Sequence, residues 1–400
     1  MKRIISAHNA RLLNVFALCH GAIFILPVLL PYYKNQIGIG FWELMAGEAV
    51  FSAVILICEI PTGWLADRWK RKYVLALAGV IDLMGWVLLL NAGSFLESAI
   101  AQGVIGVGVS MVSGTMSALH YDSLLQDRAE SEYRKQEGRR HGFGLLSVGL
   151  SSLVGGFLYK LDPYLPLYVT MVSASGMVIA ALMMQEPERH QMIVPVNPLV
   201  TMGRTLKYAL HGHREVAEII FSAAALFGTT KILMWAQQGY YAHVALDPQW
   251  IGLMLASGFF LGALASNIGH LLDHRFRNRT VLLAMMVTVV VICTISAALN
   301  SLAGAALLVT GSLFWGMGWP RVQDALNKRV ESDRRAMVLS AASLMIHTVF
   351  IPLSLLMGWI SDRYGIQVAV LCLGFVPFFG AGLLLRAVLG EWKRTNILIL

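Results

Sequence analysis

The amino-acid sequence predicts an all-α integral membrane protein whose twelve transmembrane helices form two pseudo-symmetric six-helix bundles. Three observations carry that prediction. Apolar runs are long enough to cross a bilayer, the basic residues are distributed to one side, and the second half of the chain repeats the first.

The composition sets the class. Of 400 residues 14% are charged, and the mean hydropathy is +0.65, whereas soluble domains carry about 25% charged residues. The apolar residues come in runs of about twenty, the length that crosses a hydrocarbon core of ~30 Å at ~1.5 Å per residue. The first run, Leu12–Tyr32, is too long for the core of a signal peptide and is followed by further spans, so it is read as a retained helix. Spans are expected near 12–32, 42–66, 73–91, 98–122, 142–160, 165–184, 216–241, 249–271, 280–298, 302–325, 337–360 and 366–388.

With both termini in the cytoplasm, the cytoplasmic segments and the inner ends of the spans hold 27 of the 31 Lys and Arg. The external loops hold Lys34, Lys160 and Arg363, and Lys231 lies inside a span. This is the positive-inside distribution, and it implies a multi-pass protein of a bacterial inner membrane. The net charge of +8 is therefore topological, and nucleic acid is not an expected partner. Cys19, Cys58, Cys293 and Cys372 all fall in spans without metal-ligand spacing, so neither a metal site nor a disulfide framework is expected. No dinucleotide-binding, P-loop, zinc-protease or nucleophile-elbow pattern falls on a suitable turn. The chain is read as a non-enzyme with no cofactor.

The polar stretch Gln185–Arg214, which opens Glu186-Pro187-Glu188 and contains Pro195 and Pro198, divides the chain. The expected domains are an N-terminal bundle over 1–184, a central cytoplasmic loop over 185–214 and a C-terminal bundle over 215–400. A short surface helix over Thr205–His213 is compatible with the pattern. The halves repeat in register. Tyr32-Tyr33 recurs as Tyr240-Tyr241 and Trp42 as Trp250, both at an offset of 208. Asp67 recurs as Asp273 at 206, while Gly114 with Asp122 and Gly156 recur as Gly316 with Asp324 and Gly358 at 202. The offset falls steadily along the chain, as a few loop deletions would produce.

Between spans two and three stands Gly63-Trp64-Leu65-Ala66-Asp67-Arg68-Trp69-Lys70-Arg71-Lys72. It resembles the G-x-L-x-D-R-x-G-R-K loop of the major facilitator superfamily, with Lys70 in place of the second glycine. Glu59-Ile60-Pro61-Thr62-Gly63 and Ala118-Leu119-His120-Tyr121-Asp122-Ser123-Leu124 are similar to forms in its bacterial drug/proton antiporter-like branch. The resemblance implies a two-bundle fold working by alternating access around a cavity lined by spans one, four, seven and ten. It implies a cytoplasmic gate of Gly63, Asp67, Arg68, Arg71, Lys72, Asp122, Asp273 and Asp324, in which acids at helix ends accept charge-assisted hydrogen bonds. The alternative for these residues is plain topological anchoring. Asp273, His274, Arg275 and Arg277 form a degenerate second copy, and Asp362-Arg363 reads as an ion pair in an external loop. The family's antiporter signature in span five carries Gly-Pro before Gly-Gly. Here Gly155-Gly156 is kept, but Ser151-Ser152 stands where Gly-Pro would.

Charges inside spans ask for a reason, since each costs at least ~2.5 kcal/mol at mid-bilayer. Glu59 lies about 12 Å from the cytoplasmic end of span two, Asp82 about 15 Å into span three and His20 about 13 Å into span one. All three are proton-coupling candidates, because a group partly removed from water can take up and release a proton. Each also has a structural reading: a helix-to-helix hydrogen bond, or for Asp82 a packing contact beside Gly79 and Gly85. His347 and His120 are weaker versions of His20. Glu48 is expected to be solvated near the outer boundary. Lys231 must face a wet cavity or an acid, or snorkel to the outer interface. In a cavity it would meet an anionic or carbonyl-rich substrate, together with Trp235, Gln238 and Tyr32. Part of the run Trp235–Tyr241 also fits an interfacial aromatic belt.

The expected function is secondary active transport, most simply proton-coupled efflux of an amphipathic organic compound such as a drug, siderophore or secreted metabolite. Proton-symport uptake, a membrane sensor on a transporter fold and a lipid flippase are the alternatives. The expected partners are a small-molecule substrate, protons and membrane lipids, with the protein acting as a monomer.

Overall fold

The computed structural model describes residues 4–188, 214–268, 278–330 and 335–397, and their regular structure is helical throughout. Each of the twelve expected spans falls on helix. Span one runs over Ile4–Gly21 and continues, after a break, through Leu26–Val28, Leu29–Tyr32 and Tyr33–Ile37. Spans two to six are Phe41–Arg68, Arg71–Leu90, Phe95–Gln126, Tyr133–Leu161 and Leu165–Met183. Spans seven to nine are Arg214–His243, Pro248–Ile268 and Asn278–Leu299. Span ten is Leu302–Val309 followed by Ser312–Asn327, and spans eleven and twelve are Arg335–Tyr364 and Ile366–Ile397. Eleven of these are long and apolar enough to cross a bilayer, and Ile366–Gly382 is a shorter apolar stretch within span twelve. The expected surface helix at 205–213 lies outside the described residues, and so does Asp273 with its neighbours.

The chain forms two compact units. One comprises Met1–Pro198 with Asp247–Phe260, and the other Leu199–Leu246 with Leu261–Leu400. Within the first, span three packs on span six and span one packs on spans five and six. Within the second, span nine packs on span twelve and span seven packs on spans eleven and twelve. The six-helix pattern is thus used twice, as the sequence repeat predicts. The repeated tyrosine pairs keep their role, since Tyr32, Tyr33, Tyr240 and Tyr241 are among the largest fully buried side chains.

Two spans expected to be continuous are broken. In span one, Pro27 has no N–H for the carbonyl of Ile23, and its ring disfavours a helical residue before it. The chain leaves the α-helix at Gly21, and the amides of Ala22 and Ile23 turn back to Cys19 O and Gly21 O. The groups released by the break are taken up by neighbouring side chains. Ser147 of span five donates to Leu18 O at 2.6 Å, and Ser151 donates to Gly21 O at 3.3 Å. The amide of Phe24 donates to Thr170 Oγ1 of span six at 3.0 Å. In span ten the break falls at Thr310 and Gly311, where Gln237 of span seven donates to Leu308 O at 3.1 Å. Tyr241 in turn donates to Gln237 Oε1 at 3.1 Å.

Span five can sit this close because its small residues are spaced three and four apart. Gly144, Ser147, Ser151 and Gly155 meet the broken stretch of span one, and a side chain on Gly155 would run into Phe24 O. A second stripe, Gly149, Ser152 and Gly156, meets Phe260, Gly252 and Pro248 of span eight. That close approach groups Asp247–Phe260 with the first unit, although the sequence reading assigns all of span eight to the second bundle.

Asp362-Arg363 does not stand in a loop. Span eleven stays helical through Tyr364, so both residues lie in its last turn.

Gly155→Ala should lower the melting temperature of the purified protein by several degrees, since overpacking a closed contact costs about 1–3 kcal/mol. Gly138→Ala is the control, because nothing lies within 4 Å of its added methyl, and it should leave the melting temperature unchanged or raise it.

Candidate functional site

The loop between spans two and three forms the centre of a polar cluster in the first unit. Span two ends with Asp67 and Arg68 exposed, and the Arg68 guanidinium lies 4.1 Å from the centroid of Trp64. Lys70 and Lys72 lie 6.0 Å and 5.2 Å from the ring of Tyr73. At the head of span three, the amides of Arg71 and Lys72 donate to the two carboxylate oxygens of Glu186, at 2.8 and 3.0 Å. An acid there satisfies orphan amides and complements the helix dipole. The Arg71 side chain forms an ion pair with Asp122 at the end of span four. Asp122 thus has a base of the loop cluster as its partner. Gly63, read from the sequence as part of the loop, lies inside span two, and an added Cβ there would meet nothing within 4 Å.

Beside this pair, spans four and five are joined by a network centred on His120, which is 2% exposed. Its Nδ1 lies 3.1 Å from Glu137 Oε2 and its Nε2 lies 3.1 Å from Gln136 Oε1. Gln136 is oriented by its own amide, which donates to Glu132 Oε2 at 2.9 Å. Both ring nitrogens therefore face side-chain oxygens of span five. Glu137 also pairs with Arg140 and accepts from Ser117 at 3.0 Å. One turn further along span four, Asn9 of span one donates to Ser123 and to Gln185 O at 2.8 Å, and accepts from the Gln185 amide at 2.9 Å.

The interior acids of the first unit divide sharply. Asp82 is buried, accepts from Trp86 Nε1 at 3.1 Å, and packs at Gly108 of span four, where an added Cβ would come within 3.2 Å of its amide. Glu48 departs from expectation: it is 4% exposed and accepts from Gln102 Nε2 at 3.1 Å, with the Tyr33 hydroxyl 3.5 Å from that same amide. Depth counted along one helix places it at the boundary, but spans one and four close over it. Glu59 is half-buried, and none of the described residues bonds its carboxylate. The next turn is held at its backbone: Thr62 donates to Cys58 O at 2.8 Å and reaches Ser110 O at 3.2 Å. His20 is half-buried in the last turn before the break in span one. It stacks on Phe16 at 6.4 Å, and none of the described side chains bonds its ring. Tyr32 is buried edge-on against Tyr164, with ring centroids 6.0 Å apart.

In the second unit Lys231 is held by span eleven. Its ammonium lies 3.4 Å from His347 Nδ1 and 4.1 Å from the centroid of Phe350, so it is not free to snorkel to an interface. Trp235, Gln237, Gln238, Tyr240 and Tyr241 are all buried, and Tyr240 donates to Ser296 O at 2.6 Å. This run is interior packing and not an aromatic belt. Asp324 pairs along its own helix with Lys328 at 2.7 Å. The symmetry with Asp122 therefore holds for position, while the described partners differ. Arg279 at the head of span nine approaches Glu215 and Glu218 of span seven at 3.9 and 4.0 Å, and Glu215 binds Arg329 at 3.0 Å.

Sequence reasoning missed Glu186, Glu137, Gln102 and the acids of span seven as partners. None of them stands in a motif that names its partner.

A sequence description of the Major Facilitator Superfamily matches residues 2–131. No curated protein matches the chain by sequence. Solved structures share its fold along nearly its whole length. The nucleoside transporter NupG, in a mutant form, is 13% identical with a TM-score of 0.76, covering 96% of this chain and 99% of its own. A bacterial homolog of the human lysosomal transporter Spinster, inward-facing and unoccupied, is 13% identical with a TM-score of 0.78, covering 97% and 98%. A POT family transporter in complex with a thioalcohol-conjugated peptide is 12% identical with a TM-score of 0.70, covering 96% and 95%.

The Arg71–Asp122 pair is testable by a double-mutant cycle on unfolding in detergent. Arg71→Gln and Asp122→Asn should each destabilise the protein, with a coupling of about 1–2 kcal/mol between them. The double variant should be little worse than the worse single variant.

Proposed function

We propose that this protein is a secondary active transporter of the inner membrane, exporting an amphipathic organic compound in exchange for protons. The fold that it shares with solved transporters supports transport, and the absence of a nucleotide-binding motif from the sequence directs the energy source to an ion gradient. The observation that carries proton coupling is Glu59. Among the three interior acids it alone has a carboxylate that no described residue bonds, while Asp82 is taken up by Trp86 and Glu48 by Gln102. A half-buried acid without a fixed partner can change protonation without dismantling the packing around it. The loop of Asp67, Arg68, Arg71 and Lys72, joined to Asp122, is read as the gate, because ion pairs at helix ends can break and re-form as bundles rock.

The test uses everted vesicles energised to an acidic lumen, with a panel of drugs and siderophores added in turn. Wild-type protein should release protons when a substrate is added, and Glu59→Gln should abolish that release with protein levels unchanged. Release that persists in Glu59→Gln would discard Glu59 as the carrier. Solute accumulation in right-side-out vesicles, without release in everted ones, would reverse the direction.

A further inference from the structure

The junction of spans two and three carries a crown of alternating aromatic and basic side chains. Trp64, Trp69 and Tyr73 are 45%, 54% and 47% exposed, a costly arrangement in water for rings of that size. The cations lie among them: Arg68 on the face of Trp64, and Lys70 and Lys72 beside the ring of Tyr73. A ring face attracts a cation but does not neutralise it. A guanidinium stacked on a ring also keeps the N–H groups at its edge for an anion. Arg71 is set apart from the crown, because its side chain turns to Asp122.

Exposed apolar surface leads up to the crown. On span three Tyr73, Val80, Met84 and Leu88 are exposed and recur at i, i+7, i+11 and i+15, so they share one face. On span two Ile57 and Trp64 are exposed seven residues apart, with exposed Arg68 one turn further. Both helices are long and apolar enough to cross a bilayer. Their exposed apolar faces suit acyl chains, and the crown stands where those faces end, at the depth where Trp and Tyr settle beside headgroups.

We infer that the crown is a binding site for an anionic phospholipid. Its phosphodiester takes the donors of Arg68, Lys70 and Lys72, Trp64 and Tyr73 cover its glycerol region, and its chains follow the exposed face of span three. Basic residues at a membrane surface attract anionic lipid, and the rings between them give that attraction a fixed place. Lys70 stands where the resembled loop has glycine, so one of the three cations is this chain's own addition to the pattern. A lipid fits better than a free phosphate, because a free ion would leave the rings and the apolar faces uncovered. The site is independent of the direction and the substrate of transport.

The experiment counts bound lipid by native mass spectrometry. Purified full-length protein in detergent is titrated with palmitoyl-oleoyl phosphatidylglycerol or with the zwitterionic phosphatidylcholine of the same chains. The anionic lipid should bind roughly tenfold or more tighter, and its advantage should shrink as ionic strength rises from about 0.05 M to about 0.5 M. Lys70→Gln with Lys72→Gln should weaken the anionic lipid roughly 25-fold, about fivefold for each base. Phosphatidylcholine binding should be unchanged, which also reports that the variant is folded. Arg128→Gln with Lys135→Gln removes two exposed bases elsewhere on the first unit and should leave the preference intact. Equal binding of the two lipids by wild-type protein overturns the site without recourse to any variant. An equal loss in the Arg128 and Lys135 variant overturns it too, since the attraction would then be diffuse. Displacement of the anionic lipid by an equal concentration of glycerol 3-phosphate would overturn the lipid assignment in favour of a free anion.

Discussion

Inside a bilayer the backbone has no water to bond, and every exposed N–H or carbonyl costs several kcal/mol. A break in a membrane helix is therefore permissible only where other side chains replace the lost bonds. That requirement organises both units. In the first, the break after Gly21 releases Leu18 O and the amide of Phe24 and leaves Gly21 O with a turn bond from Ile23. Ser147, Ser151 and Thr170 take them up. In the second, Gln237 takes up Leu308 O and is itself oriented by Tyr241. The bonds are short, so the helices must be close, and closeness in turn requires small residues. The stripe of Gly144, Ser147, Ser151 and Gly155 thus brings the backbones together and supplies the hydroxyls that make the contact tolerable.

The same rule sorts the charged groups. A buried acid that accepts a hydrogen bond from a neighbouring span is part of the packing, and removing it would leave the donor stranded. Asp82 with Trp86 and Glu48 with Gln102 belong to this class. At the basic end, Glu186 caps span three while Arg71 and Asp122 tie its first turn to the last of span four. What is left after these are assigned in the first unit is short: Glu59 and His20, whose side-chain polar atoms no described residue bonds. Function is sought in that remainder, because those groups can exchange a proton or a ligand without undoing the fold.

The spans were legible in the sequence because length and hydropathy are one-dimensional properties, and so was the repeat, because a register can be counted. The breaks were not. Pro27 marks the one in span one, but Pro61, Pro352 and Pro377 stand in spans two, eleven and twelve without interrupting them. Proline tells where a bond is missing and not whether the helix will yield. Glu48 was misplaced for a related reason. Depth along its own helix put it near water, whereas Gln102 and Tyr33, far away in sequence, enclose it. Likewise the aromatic run after Lys231 has the composition of an interfacial belt, and burial distinguishes the two readings. For the candidate site, residue types were legible and partners were not: His347 reached Lys231, and Glu137 and Gln136 reached His120, through packing that spacing does not encode.

The serine pair in span five shows how a departure from the pattern that the sequence resembles can be understood. Gly-Pro at that point would remove an amide from the helix and invite a bend. With Ser151-Ser152 in its place, span five carries no proline and runs as one helix from Tyr133 to Leu161. The irregular backbone is found next door instead, in span one. Ser151 bonds Val148 O of its own helix at 3.1 Å and also reaches Gly21 O, beside the break, at 3.3 Å. A glycine at 151 could not have supplied that hydroxyl. The unbroken span five thus packs against a discontinuous span one, with His20 in the last helical turn before the gap.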